Sequence, residues 1–155
     1  MQTFDKWLAL IHILAAMIWV GGSVTLIVMS LRLAASGDRA TMRNTALVGE
    51  FLGRAVYTPA AIVALATGSW LVSRIGHFDW GDTWISIGFL GIAWGAATGM
   101  GFFGPQLKKL AAEVDAEGPG AAAVTTRMSR IMTVSWIDLA VLFFVVWAMV
   151  TRPGL

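Results

Sequence analysis

The sequence contains no cysteine, which removes disulfides, thiolate metal sites and a cysteine nucleophile together and leaves the redox compartment unread. Charge is scarce: Asp, Glu, Lys and Arg make up 13% of the residues, where a soluble domain carries about 25%. The imbalance between signs is only +2, too little to suggest nucleic acid as a partner, and the basic residues sit beside apolar runs instead of forming a patch of their own. Histidine occurs only as His12 and His77, so no wide histidine ligand set is available. No nucleophile–base–orienter arrangement, phosphate-binding loop or helix-borne zinc motif is present, and hydrolase or nucleotide-dependent chemistry has no support.

What is abundant is apolar surface: 57% of the residues are hydrophobic and the mean hydropathy is +0.75. Four uncharged or nearly uncharged runs stand out, Trp7 to Leu31, Ala55 to Ser73, Thr83 to Leu107 and Ile131 to Thr151, the last interrupted only by Asp138. Each is long enough to cross a bilayer core, for which about 20 residues suffice, and in lipid only a helix satisfies its own backbone over that length. The expected fold class is therefore all-α, a four-helix transmembrane bundle forming one integral membrane domain over 1–155, with helices at about 7–33, 51–74, 83–108 and 131–151. Met1 to Asp5 is short and weakly basic for the leading region of a signal peptide, and the run that follows exceeds the usual apolar core of about 7–15 residues, so the first run is expected to remain as a helix.

Basic residues report the topology. The first connection holds Arg32, Arg39, Arg43 and Arg54 and the third holds Lys108, Lys109, Arg127 and Arg130, whereas the second has Arg74 with Asp79 and Asp82, and the termini add Lys6 and Arg152. Connections one and three are expected in the cytoplasm, with both termini outside it, in a multi-pass protein of the cell (inner) membrane. Trp7, Trp70, Trp80, Trp84 and Trp147 fall near the expected outer interface, as an aromatic belt would place them. Ser36-Gly37-Asp38 is expected to end one helix and begin a short lead into the next, and Leu107 to Ala116 reads as a helical extension broken at Glu117-Gly118-Pro119-Gly120.

Few polar groups lie inside the runs. On a 3.6-residue period His12 shares a face with Leu8, Ala15, Ala16, Trp19, Gly22 and Ser23, small neighbours that admit another helix backbone or a flat ligand. A hydrogen bond from His12 to a neighbouring helix and ligation of a cofactor or metal are both open readings. Pro59 withdraws a backbone donor and is expected to bend the second helix where Thr58 or a neighbour satisfies the freed carbonyl. Gly91, Gly95 and Gly99 repeat at i, i+4 on the third helix and form a groove suited to helix packing or to a porphyrin or quinone. Asp138 must be paired, protonated or facing water, and a Glu50–Arg54–Asp138 network is the expected arrangement. His77, in the second loop, would be a joint ligand with His12 only if the two meet.

Trp7-Leu8-Ala9-Leu10-Ile11-His12 with Trp19-Val20-Gly21-Gly22, then Glu50 and Arg54 before Thr58-Pro59-Ala60, and Arg152-Pro153 after the last helix resemble an uncharacterised family of predicted integral membrane proteins. That family is similar to the HemJ-type protoporphyrinogen oxidases and, more distantly, to CopD-like membrane domains. By this resemblance His12 would bind haem b, and Arg54, Thr58 and Pro59 would correspond to a second-helix motif. The HemJ pattern has a lysine after the tryptophan opening helix three and histidines near that helix's far end, where this chain reads Trp84-Ile85-Ser86 and Gly99-Met100-Gly101-Phe102, so oxidase activity does not follow.

Three functions remain open. In the first, His12 supplies an axial ligand to haem b, Trp19, Gly22 and the helix-three glycines border the macrocycle, and Arg54 meets a propionate. In the second the chain is a small permease, with the Pro59 bend and the glycine-lined helix bordering a path and Asp138 gating protons or ions; four spans would then call for a homodimer. In the third it is a structural or accessory membrane subunit. The lipid bilayer is the partner common to all three.

Overall fold

The computed structural model describes residues 3–76 and 78–154. Four long helices account for nearly all of them, and no strand occurs among the described residues. Helix I is a single α-helix, α1 (Thr3–Ser36). Helix II comprises α2 (Arg39–Leu52) and α3 (Thr58–Arg74) joined by a π-helical turn, Gly53–Tyr57. Helix III repeats that plan, with α4 (Thr83–Thr98) and α5 (Gly104–Glu117) joined by a π-helical turn at Gly99–Phe103. Helix IV is α6 (Ala122–Thr151). All four are long and apolar enough to cross a membrane.

The breaks fall where the chain's turn chemistry puts them. Gly37, at φ +63°, leaves helix I through the left-handed region, and Asp38 caps α2 by accepting the Thr41 N–H at 2.8 Å, an N-cap interaction of the ordinary kind. Gly118, at φ +88°, ends α5.

Helices II and III span 36 and 35 residues, about 54 Å at 1.5 Å per residue, against a hydrocarbon core of about 30 Å. The surplus lies at one end, the basic end. There α2, α5 and the first turns of α6 bury Met42, Ala46, Leu110, Ala111, Val114, Val124 and Ile131 in a shared core. This corrects the expected start of two helices, helix II beginning at Arg39 and not near 51 and helix IV at Ala122 and not near 131, while helix III carries the expected extension beyond 108, as far as Glu117. The charged residues that suggested loops sit on the outer faces of amphipathic helices and pair across them, Arg43 with Asp115 at 2.7 Å and Arg127 with Glu113 and Gln106. Beyond the lipid the hydrophobic effect operates in full, and complete burial of Val114 and Val124 contributes about 1.5–3 kcal/mol apiece relative to exposure.

Within the apolar section that drive is missing, because lipid tails are as apolar as the side chains, and close packing takes over. Helix I lies mainly against α3 and also touches α6, α4 lies against α6, and α3 meets α4 only sparsely. The helix III glycines are seats for side chains: Gly88 faces Met149, Gly91 faces Val145 and Gly95 faces the Trp19 ring. Exposed Ile13, Met17, Leu90 and Val150 present the outer surface. At the end carrying the termini, Trp7, Trp70, Trp80 and Trp147 are exposed as an interfacial belt would be, but Trp84 is only 7% exposed. It turns inward against Val72, Ile85, Phe78 and Met149, beneath the Arg152 guanidinium.

Candidate functional site

His12 and Asp138 are held inside the apolar section, at different depths. The first is His12, between the buried Leu8 and Ala15 of helix I. Its Nδ1 lies 2.8 Å from the Ala64 carbonyl oxygen of α3. A carbonyl only accepts, so Nδ1 is the donating nitrogen and Nε2 is left as the ring's second polar position. Thr67 Oγ1 stands 3.4 Å from Nδ1 and itself lies 2.6 Å from the Val63 carbonyl. The ring rests on Gly68, where a Cβ would come within 3.0 Å of it. Of the two open readings for His12, its bond to a neighbouring helix is therefore present.

The second group is Asp138 of α6, 7% exposed. Trp94 Nε1 and Thr98 Oγ1, one turn apart on α4, both approach its Oδ1 at 3.1 Å. Thr98 has a single hydrogen and also lies 3.0 Å from the Trp94 carbonyl and 3.3 Å from that of Gly95, so the indole N–H is the donor committed to the carboxyl. Oδ2 has no hydrogen-bond partner among the described residues, and neither does any cation there pair with Asp138.

The expected Glu50–Arg54–Asp138 network therefore divides. Arg54, its side chain 73% exposed, lies 3.7 Å from Glu50, which Lys108 approaches to 3.5 Å, while among the described residues Asp138 bonds to helix III alone. Rotation explains the difference: Arg54 sits on the outside of the helix II π turn, and Asp138 points toward α4. Trp94 and Thr98 were the partners missed. Their signal was a tryptophan and a threonine at i, i+4 inside an uncharged run, which places an N–H and an O–H on one helix face.

The residues assigned to a haem site do not gather. Arg54 precedes Ala64, the His12 acceptor, by ten residues, about 15 Å along the helix axis. The space beside Gly22 is filled by the Tyr57 ring, and Trp19 reaches the helix III backbone at Gly95. His12 has the orientation of a ligand, Nδ1 fixed by a backbone carbonyl as in many metal-binding histidines, but Trp19, Gly22 and Arg54 build no cradle for a macrocycle around it. His77 lies outside the described residues. Among those described, no three metal-ligating side chains cluster.

Comparison with known proteins yields one family. A family model described as predicted integral membrane protein (DUF2269) matches residues 6–153. No curated protein and no solved structure matches the chain. The family agrees with the broad resemblance read from the sequence and lends none to the narrower likeness to HemJ-type or CopD-like proteins.

Proposed function

We propose, for a chain that belongs to this family of predicted integral membrane proteins, a small proton-coupled permease in which Asp138 is the proton-carrying group. The observation that carries this reading is the asymmetry of the carboxyl: both donors converge on Oδ1, so one oxygen is anchored to helix III while Oδ2 is free to hold a proton or release it. A carboxyl inside a membrane without a counter-cation marks a functional site by default. Helices interrupted near such a group, as helices II and III are, are a feature of transporters. A four-helix chain encloses little by itself, so a homodimer completes the path. The basic end, with Arg32, Arg39, Arg43, Lys108, Lys109, Arg127 and Arg130, faces the cytoplasm of a cell membrane, leaving both termini outside.

Infrared difference spectroscopy on protein in bilayers tests this directly. A protonated-carboxyl band that titrates in the wild type and disappears in Asp138→Asn supports it, together with loss of potential-driven proton flux into liposomes. A spectrum unchanged by Asp138→Asn overturns it.

A second reading, a b-type haem held through His12, rests on the Nδ1 bond to Ala64, which leaves Nε2 as a nitrogen able to ligate. When bound, haem would supply one-electron chemistry. A reduced-minus-oxidised band lost in His12→Ala supports this reading, and no band in protein expressed with haem in excess rejects it.

A further inference from the structure

Helices II and III carry the same short pattern at their interruptions, Gly53 to Tyr57 with Pro59 and Gly99 to Phe103 with Pro105: a glycine, an aromatic residue four positions on, and a proline two beyond that. In each case the stretch from glycine to aromatic is one π turn, and the proline stands in the first turn of the α-helix that resumes. The wide turn lets the Thr58 N–H reach the Gly53 carbonyl and the Gly104 N–H reach the Gly99 carbonyl, while neither proline has an N–H to return. Thr58 adds its hydroxyl, 3.0 Å from the Gly53 carbonyl. A proline and a π turn are each recognised causes of bending, and here they coincide twice.

The two interruptions also share one depth. Tyr57 lies against Gly22 of helix I, and Gly95 lies against Trp19. Tyr57 is thus three residues further along helix I than Trp19, about 4.5 Å, and Gly99 is four residues beyond Gly95, about 6 Å. Thr98, which contacts Asp138, immediately precedes the second π turn.

On either side of that level the packing differs. Toward the basic end α2 and α5 are clamped by a buried core and by the Arg43–Asp115 pair. Toward the termini α3 is tied to helix I by His12 to Ala64 and by Arg74 to Asp5 at 2.7 Å, α4 is seated on helix IV through Gly88 and Gly91, and α3 and α4 meet mainly at their loop end, where Val72 is buried with Trp84 and Ile85.

We infer that the two π–proline turns are a matched pair of hinges, about which α3 and α4, joined at their loop end, tilt relative to α2 and α5 while those two stay clamped together. The movement stands on the backbone alone. Its use, exposing Asp138 Oδ2 alternately to the terminal side, rests on the permease reading.

The absence of native cysteine makes distance measurement straightforward. Spin labels at Asn44→Cys with Ser73→Cys report the bend of helix II, labels at Ser86→Cys with Ala112→Cys that of helix III, and labels at Asn44→Cys with Ala112→Cys the clamped pair; all four positions are exposed. In lipid nanodiscs the two bend pairs are expected to give broad or two-peaked distance distributions that narrow in Pro59→Ala/Pro105→Ala, while the clamped pair gives one narrow peak in both backgrounds. Single narrow distances for the bend pairs in the proline-containing chain overturn the inference, and so does breadth that survives loss of both prolines. Loss of the clamped peak would mark an unfolded double variant, in which case the two single proline substitutions give the same readings. The infrared titration of Asp138 is independent of these distances, so failure of the hinges and failure of the proton reading are separable.

Discussion

Replacing Asp138 by asparagine and by alanine separates two things the carboxyl does. Asparagine keeps a carbonyl oxygen where Oδ1 accepts from Trp94 at 3.1 Å, and its amide mimics a protonated carboxyl at the Oδ2 position. Its cost in stability should therefore stay below about 1 kcal/mol. Alanine removes the acceptor. Thr98 loses little, since its hydroxyl has the Trp94 and Gly95 carbonyls within reach, but the indole N–H is stranded. A buried donor without an acceptor costs about 1–3 kcal/mol, while polar pairs between membrane helices measure about 0.6 kcal/mol on average and at most about 1.7. Together these limits give about 1–2 kcal/mol for Asp138→Ala. Most of that should return in Asp138→Ala/Trp94→Phe, where no N–H remains to be stranded, so the pair should couple by about 1 kcal/mol. Equilibrium unfolding in mixed detergent micelles, titrated with a denaturing detergent and followed by tryptophan fluorescence and circular dichroism, gives the four corners of the cycle. Additive effects of Asp138→Ala and Trp94→Phe would refute the bond. Asparagine as damaging as alanine would show that the acid itself, and not an acceptor, holds the helices.

Three further outcomes follow from the packing and the caps. A methyl group added at Gly95 meets the Trp19 ring, so Gly95→Ala should destabilise by about 1–3 kcal/mol, and Trp19→Leu in the same chain should relieve part of it; equal losses in both backgrounds in the same unfolding assay would count against the contact. Asp38 has its carboxyl held below the ordinary value of 3.8 by the Thr41 hydroxyl and then the Thr41 N–H; its stabilising contribution is complete above that value and is lost as pH falls through the lower folded one, so the unfolding midpoint of the wild type should drop in that acidic window by more than that of Asp38→Asn. Arg54 and Asp138 do not meet, so Arg54→Gln and Asp138→Asn should add within about 0.5 kcal/mol; coupling beyond that would restore the pairing.

The apolar runs made the membrane class and the number of helices legible, because a polypeptide in hydrocarbon has one way to satisfy its backbone over such a length. The breaks at Gly37-Asp38 and after Glu117 were legible for a comparable reason: left-handed glycines and a capping aspartate leave few conformations open. The extent of the helices was not. Arg39, Arg43 and Arg127 lowered the local hydropathy enough for the first turns of helices II and IV to read as connections, although Met42, Ala46 and Val124 are interleaved with them and form a buried core with Leu110 and Val114 of the expected helix III extension. A helix leaving the membrane changes from an all-round apolar surface to a one-sided one, and a hydropathy reading takes that change for an ending.

The polar interior was half legible, and the part that failed explains why. That His12 and Asp138 must be provided for follows from their position in apolar runs alone. Their partners follow from rotation about the helix axes, which charge and depth do not reveal. Arg54 was the attractive counter-ion for Asp138 because opposite charges inside a bilayer are expected to meet, yet it lies exposed and pairs with Glu50, while Asp138 is served by an indole N–H and a hydroxyl. His12 likewise found a backbone carbonyl and no charge. Neutral donors and acceptors do not stand out in a hydropathy profile, but they let the helices bind each other without the desolvation that a buried ion pair demands. They also leave the acid–base groups unneutralised. A carboxyl tied to arginine would hold its charge through any change in the bundle, whereas on the permease reading proposed above one held by Trp94 and Thr98 exchanges a proton and keeps its place on helix III.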